Sequence, residues 1–296
     1  MKKTLLLLFA ILASAQAQTG LPPPTHAEVS YGAHERHVLD LWQAKTDAPA
    51  PLLIFIHGGG WAGGAKSDLP PKLVAAMLAC GVSVAAINYR YTSIAPLPAP
   101  MHDAARAVQF LRSQAGAWEL DPQRVGAYGI SAGATSSLWL AYHDDLAEPG
   151  STDPVARQST RLQAAVGLSP QTSLEPEIIT AWVGEVVLQH PMIARAVGAK
   201  KLDELKKPRP EWRTLLREFS AITHVGAGDP PVLIQNPRVD PLPAASAGSA
   251  IHHAIFGEKL KERADAAGVT CILRLQDQPA ATPEPEAFLL EYLKAK

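Results

Sequence analysis

"RVGAYGISAGATSSLWLAY", Arg124 to Tyr142, is the stretch whose reading decides the fold. "RVGAYGIS" reads as a strand and "AGATSSLWLAY" as a helix, with Gly129-Ile130-Ser131-Ala132-Gly133 at the junction. A bare G-x-S-x-G pattern is weak, since composition alone produces one in about ten chains of this length. Its context is specific. A serine on a sharp turn between strand and helix has its hydroxyl pushed outward, provided that glycines leave room for the strained backbone. The helix N-terminus behind it offers positive potential to a developing anion.

Working outward, strands and helices alternate. "AEVSYG" and "HVLDLWQA" read as a first pair of strands, and "PLLIFIHGGGW" as a buried parallel strand running into a glycine loop. "SDLPPKLVAAMLACG" carries helix punctuation at both ends, and "VSVAAINYR" is the next strand. A helix follows over "APMHDAARAVQFLRSQA", with Ala105, Val108, Leu111 and Arg112 at helical spacing. Beyond Tyr142 come a strand "LQAAVGLSP", a strand "PPVLIQN", a helix "HHAIFGEKLKERADAAG", and a last strand and helix. The alternation predicts an α/β fold with a mainly parallel sheet, whose site lies beyond the carboxyl ends of the strands. Residues 171–228 interrupt it with short helical pieces, so a small helical cap is expected after the sixth strand.

Composition narrows the function classes. The chain has 296 residues, 47% of them hydrophobic, and a formal net charge of −1, so nothing favours a nucleic-acid partner. "MKKTLLLLFAILASAQAQ" joins Lys2 and Lys3 to a short apolar run and a small-x-small site at Ala15–Ala17. It reads as a secretory signal peptide, residues 1–17, leaving a domain over 18–296 and an exported protein, periplasmic or extracellular. The run is too short for a stable membrane span. Cys80 and Cys271 read as buried free thiols, and neither has metal-ligand spacing. The carboxylates of "HDDLAEPGSTDP" read as a solvated turn. No cofactor and no metal is expected.

"HGGGW", His57 to Trp61, ends an earlier strand 74 positions before Ser131. Together with "AAINYRYT", "LDPQRVGAYGISAGA" and "PPVLIQNPRVDPLP", it makes the chain resemble the α/β-hydrolase carboxylesterases. The likeness is to the hormone-sensitive-lipase-like esterases and the neighbouring acetyl- and feruloyl-esterase-like branch. It covers about Val29 to the end. The resemblance implies an α/β-hydrolase fold and a serine esterase acting on a small-molecule ester. It implies Ser131 as nucleophile, Gly59, Gly60 and Ala132 as oxyanion donors, His57 as a structural residue, and Asp240 as the acid. Asp229, before its strand, reads as a turn residue. Trp61, beside the oxyanion loop, is a candidate for the acyl pocket, as are Trp182 and Trp212 from the cap.

The same pattern fails at one residue. The family's histidine follows the last strand, and here that loop is "QDQPAATPEP". Of the ten histidines, His252 and His253 stand out. They are expected at the start of a helix on the site side, 12 and 13 residues after Asp240 across a flexible "AASAGSA". A helix N-terminus would keep such a base neutral, and His253 is the preferred one. His190 and His224, in or beside the cap, are lesser candidates. The competing expectation is a catalytically impaired homologue that acts as a binding protein.

Overall fold

The computed structural model describes residues 21–236, 240–275 and 282–294. The expected signal peptide and residues 276–281 of the "QDQPAATPEP" loop lie outside the described residues. Among the described residues eight strands follow in chain order: β1 (His26–Ser30), β2 (Val38–Trp42), β3 (Ala50–Ile56), β4 (Ser83–Ile87), β5 (Leu120–Ile130), β6 (Ala164–Leu168), β7 (Val232–Asn236) and β8 (Cys271–Leu275). The α-helices are α1 (Pro71–Ala79), α2 (Ala99–Ser113), α3 (Ala132–Tyr142), α4 (Pro176–Val183), α5 (Pro191–Ala196), α6 (Pro210–Glu218), α7 (Ala247–Ile251), α8 (Ile255–Ala267) and α9 (Pro285–Leu293).

The strands form one sheet in the order β1-β2-β4-β3-β5-β6-β7-β8. The pairings of β1 with β2 and of β2 with β4 are antiparallel; the rest are parallel. β3 and β4 are buried along their whole length, as strands covered on both faces must be. Alternation along β3 divides the core. Leu52, Ile54 and Ile56 pack with Met101 and Val108 of α2, Leu138 and Trp139 of α3, and Phe256 of α8. Leu53 and Phe55 face the other way, against Leu73, Val74 and Met77 of α1 and Phe288 and Leu289 of α9. This is an α/β-hydrolase sheet sandwiched between helices. No helix among the described residues is long and apolar enough to cross a membrane.

Register places the site. Ile56 at the end of β3 pairs with Gly129 of β5, and Ile130 pairs with Leu168 of β6. The loop after β3 and the turn after β5 therefore leave the sheet side by side. Between β6 and β7 the chain forms α4, α5 and α6 with short 3-10 turns at Glu185–Gln189, Leu202–Lys206 and Ala221–Thr223. Its α4 end is tied to the following loop by Ala244 N–H donating to the Val183 carbonyl at 3.1 Å. Cys80 and Cys271 are both free thiols.

Candidate active site

Ser131 closes β5 and caps α3, with φ 53° and ψ −119°. This is a region that side chains other than glycine rarely enter, and it costs roughly 1–3 kcal/mol unless its surroundings enforce it. The neighbours do enforce it. A Cβ on Gly129 would stand 2.1 Å from the Gly133 carbonyl oxygen, and one on Gly133 would stand 2.0 Å from that of Ile56. The two glycines let the turn close on itself and press it against β3. The Ser131 N–H donates to the Leu168 carbonyl at 2.8 Å, fixing the turn to β6 as well.

The "HGGGW" loop lies directly against this turn. A Cβ on Gly58 would come within 2.9 Å of the Ile130 carbonyl and 3.5 Å of Ser131 Cβ. Gly59 and Gly60 have φ of 95° and 60°. Among the described residues, nothing accepts a hydrogen bond from the main-chain N–H groups of Gly59, Gly60 or Ala132. His57 holds the loop from beneath. Its side chain is fully buried and stacked on Tyr89 at 4.2 Å, and Nδ1–H donates to the Gly58 carbonyl at 2.8 Å. The Tyr89 hydroxyl lies 2.8 Å from the His57 carbonyl and 3.1 Å from that of Gly58. Burial pulls the His57 pKa down to about 4, so the ring is a neutral strut at neutral pH. Tyr89 sits in the quoted "AAINYRYT", where strand pattern alone gave no hint of this support.

An imidazole does reach the serine. His252 Nε2 lies 2.9 Å from Ser131 Oγ, and His252 Nδ1 lies 3.1 Å from the Gly248 carbonyl. A carbonyl can only accept, so Nδ1 carries the proton and Nε2 presents its lone pair to the serine hydroxyl. That is the tautomer a general base needs. Burial, partly offset by the bond to Gly248, lowers the His252 pKa below its ordinary value.

Several expectations change in detail. His253 is not beside Ser131. Its Nε2 lies 2.6 Å from the Asp240 main-chain carbonyl, and its Nδ1 accepts from Ile255 N–H at 3.0 Å. Asp240 thus meets the neighbouring histidine through its backbone, while the partner of His252 Nδ1 is a peptide carbonyl. The two histidines do not start a helix. Ser246 and Ser249 exchange side-chain-to-backbone bonds at 3.1 Å each, which caps α7 and makes "AASAGSA" helical from Ala247. His252 follows the last turn of α7, within reach of the carbonyl four residues back, and α8 begins only at Ile255. Burial, rather than a helix N-terminus, keeps it neutral. Trp61 lines no open pocket: it is fully enclosed, and its indole N–H donates to Ser136 Oγ at 3.1 Å. Trp182 packs edge-on against Phe256 at 5.6 Å, and Trp212 lies under the Arg209 guanidinium. Asp229 is a turn residue, accepting from Gly226 N–H at 2.8 Å.

Two side chains from residues 171–228 stand over the site. Met192 of α5 would be 3.7 Å from a Cβ on Gly60. His190 approaches the His252 ring edge-on, with 6.3 Å between centroids. His224 lies elsewhere, with His143 and Glu218.

The chain is similar to several known proteins. The BD-FAE family model matches residues 39–255. A probable carboxylic ester hydrolase, LipM, of Mycobacterium tuberculosis is 28% identical over 224 residues, covering 73% of this chain and 48% of its own length. A probable isoprenylcysteine α-carbonyl methylesterase of Arabidopsis thaliana is 29% identical over 149 residues, covering 50% of this chain and 31% of the relative. The chain thus spans half or less of the length of these curated relatives. Among solved structures, a truncated carbohydrate esterase from gut microbiota superposes with a TM-score of 0.70 at 21% identity, covering 90% of this chain and 95% of the other. An acetyl ester-xyloside bifunctional hydrolase from Caldicellulosiruptor lactoaceticus does so with a TM-score of 0.67 at 19% identity, covering 92% and 94%. These structures share the fold. The family match spans most of the chain and takes in the glycine loop, Ser131 and His252, so the protein belongs to the BD-FAE family.

Proposed function

We propose that the protein is a serine carboxylesterase in which His252, oriented by the Gly248 carbonyl, replaces the histidine missing after the last strand. The observation that carries this is the 2.9 Å approach of Ser131 Oγ to His252 Nε2. Ser131 Oγ adds to the ester carbonyl carbon as its proton passes to Nε2. The N–H groups of Gly59, Gly60 and Ala132 receive the oxyanion, each such donor being worth about 3–4 kcal/mol in the transition state. The alcohol leaves with the proton from His252, and water, activated by the same nitrogen, releases the acid from the acyl-enzyme. A backbone carbonyl fixes the imidazole tautomer as a carboxylate would but adds no negative charge, so the imidazolium is less stabilised.

Short acyl groups suit the site, because Met192 and His190 crowd the space above Gly60 and His252. The described residues expose only three large hydrophobic side chains, Ile94, Leu202 and Leu242, too few for a broad lipid-binding surface. The acetyl-ester and carbohydrate-ester names of the structural neighbours point the same way by analogy. Export to the periplasm or medium rests on the residues 1–17 leader, and a mature chain that begins elsewhere than Gln18 would refute that cleavage.

The test is hydrolysis of p-nitrophenyl acetate, butyrate and octanoate by wild type, Ser131→Ala, His252→Ala, His253→Ala and Asp240→Asn. Ser131→Ala and His252→Ala should each lose at least about a thousandfold in kcat/KM, and His253→Ala should stay within about tenfold. A loss in Asp240→Asn as deep as that in His252→Ala would assign orientation of the base to its carboxylate. Activity unchanged in Ser131→Ala would overturn the serine mechanism, and no hydrolysis by wild type would leave a hydrolase fold that binds without reacting.

A further inference from the structure

We propose that His143, Glu218 and His224 form a divalent-metal site of the zinc class, which clamps the segment between β6 and β7 to the far end of the nucleophile helix. His143 directly follows α3, Glu218 ends α6, and His224 follows the 3-10 turn at Ala221–Thr223. One ligand atom from each lies within 4.8 Å of the other two. The 11 residues of α3 put this cluster roughly 16 Å from Ser131 at 1.5 Å per residue, so it stands apart from the ester site.

Hydrogen bonding to a carbonyl at one nitrogen of each ring leaves the other nitrogen with its lone pair. His143 Nδ1 lies 2.8 Å from the Asp144 carbonyl and must carry a proton to bond there. Its Nε2 then presents a lone pair 2.9 Å from Glu218 Oε1, and a carboxylate has no proton to offer. Two acceptors at that distance require a positive centre, either a second proton on the ring or a metal ion. His224 supports the metal. Its Nε2 lies 2.6 Å from the Glu218 main-chain carbonyl, which takes the N–H and leaves Nδ1 free to ligate. Each imidazole is thus tied by one nitrogen to a backbone carbonyl, the outer contact that orients histidine ligands in metal sites.

Two imidazoles and one carboxylate are a zinc-type ligand set. With metal–ligand bonds of about 2.0–2.1 Å, tetrahedral ligands stand roughly 3.3 Å apart. The Glu218 side chain, 46% exposed, is free to rotate the remaining distance. The Trp139 ring packs 4.5 Å from that of His143 and forms the floor. The nearby Arg161 guanidinium is turned to the His143 carbonyl at 3.2 Å and to Asp229 at 3.8 Å. The fourth position opens to solvent and would hold water. The site is a structural clamp, independent of the esterase reading.

The test uses the tag-free full chain, stripped with a chelator and titrated with Zn²⁺ by calorimetry, and with Co²⁺ by visible absorption. One zinc per chain, a higher melting temperature and d–d bands of tetrahedral Co²⁺ are expected. Glu218→Gln and His224→Ala should each weaken Zn²⁺ binding at least about tenfold while esterase activity without metal is unchanged. His190→Ala should leave binding as in wild type. Glu218→Gln, at an exposed position, keeps the test valid if a histidine variant misfolds. No zinc uptake, or uptake undiminished in both variants, overturns the proposal and leaves His143 and Glu218 as a plain ion pair.

Discussion

In the proposed mechanism the imidazole of His252 must be neutral to accept the Ser131 proton, and its surroundings set the pH at which it is. Burial lowers its pKa from 6.5, and the Gly248 carbonyl only partly restores it. A lowered pKa means that the neutral ring survives into more acid solution. The acid limb of kcat/KM should therefore have its midpoint below pH 6.5 in a p-nitrophenyl acetate profile, and a midpoint at or above that value would refute His252 as the base. Which of two adjacent histidines faces the serine was not readable from residue types. It depends on where α7 stops, because both histidines lie in the turn between α7 and α8. The Ser246-x-x-Ser249 cap that decides it is present in the sequence, within small residues that read as a flexible bridge. The orienting group at Gly248 is a backbone carbonyl, which every residue has and no motif marks.

At the scale of the element, the junction of β3, β5 and α3 is set by backbone approach more than by side chains. A methyl on Gly133 would sit 2.0 Å from the Ile56 oxygen and 2.5 Å from that of His57, and one on Gly129 would sit 2.1 Å from the Gly133 oxygen. No rotamer relieves a clash between backbone atoms, so the turn or the strand pairing must give way. Gly133→Ala and Gly129→Ala should each cost more than about 4 kcal/mol or yield no folded protein. Gly116→Ala and Gly150→Ala, where nothing lies within 4 Å, should shift the melting temperature by only a few degrees. Equal tolerance in both pairs, read by thermal melts, would remove the packing argument. These contacts also explain why the elements around Ser131 were legible. The glycine spacing, the apolar run of β3 and the helix after Ser131 all answer to one local constraint. Trp61 answers to none of them, and its enclosure under Ser136 depends on packing from α3, 75 residues further on.

Across the whole molecule, buried neutral histidines link stability to pH. His57 is fully enclosed, its Nε2 has no hydrogen-bond partner among the described residues, and burial holds its pKa at about 4. His102, His190 and His252 are lowered in the same direction, each chiefly by burial. Above pH 6.5 these rings are neutral both folded and unfolded, and stability is independent of their titration. As pH falls below that value the unfolded chain binds protons that the folded chain refuses, so the folded state loses ground. The loss from His57 is complete only once pH has passed through about 4. At about 1.4 kcal/mol per pH unit, His57 alone should cost the fold about 3 kcal/mol between pH 7 and pH 4. That is a large share of the roughly 5–15 kcal/mol that holds a folded domain. His57→Asn keeps an amide N–H for the Gly58 carbonyl but cannot titrate. Urea unfolding at both pH values should therefore show wild type losing about 3 kcal/mol more than His57→Asn, with carboxylate contributions cancelling in the difference. Equal losses in the two proteins would mean that the ring is protonated in the fold, and the neutral strut beneath the "HGGGW" loop would have to be abandoned.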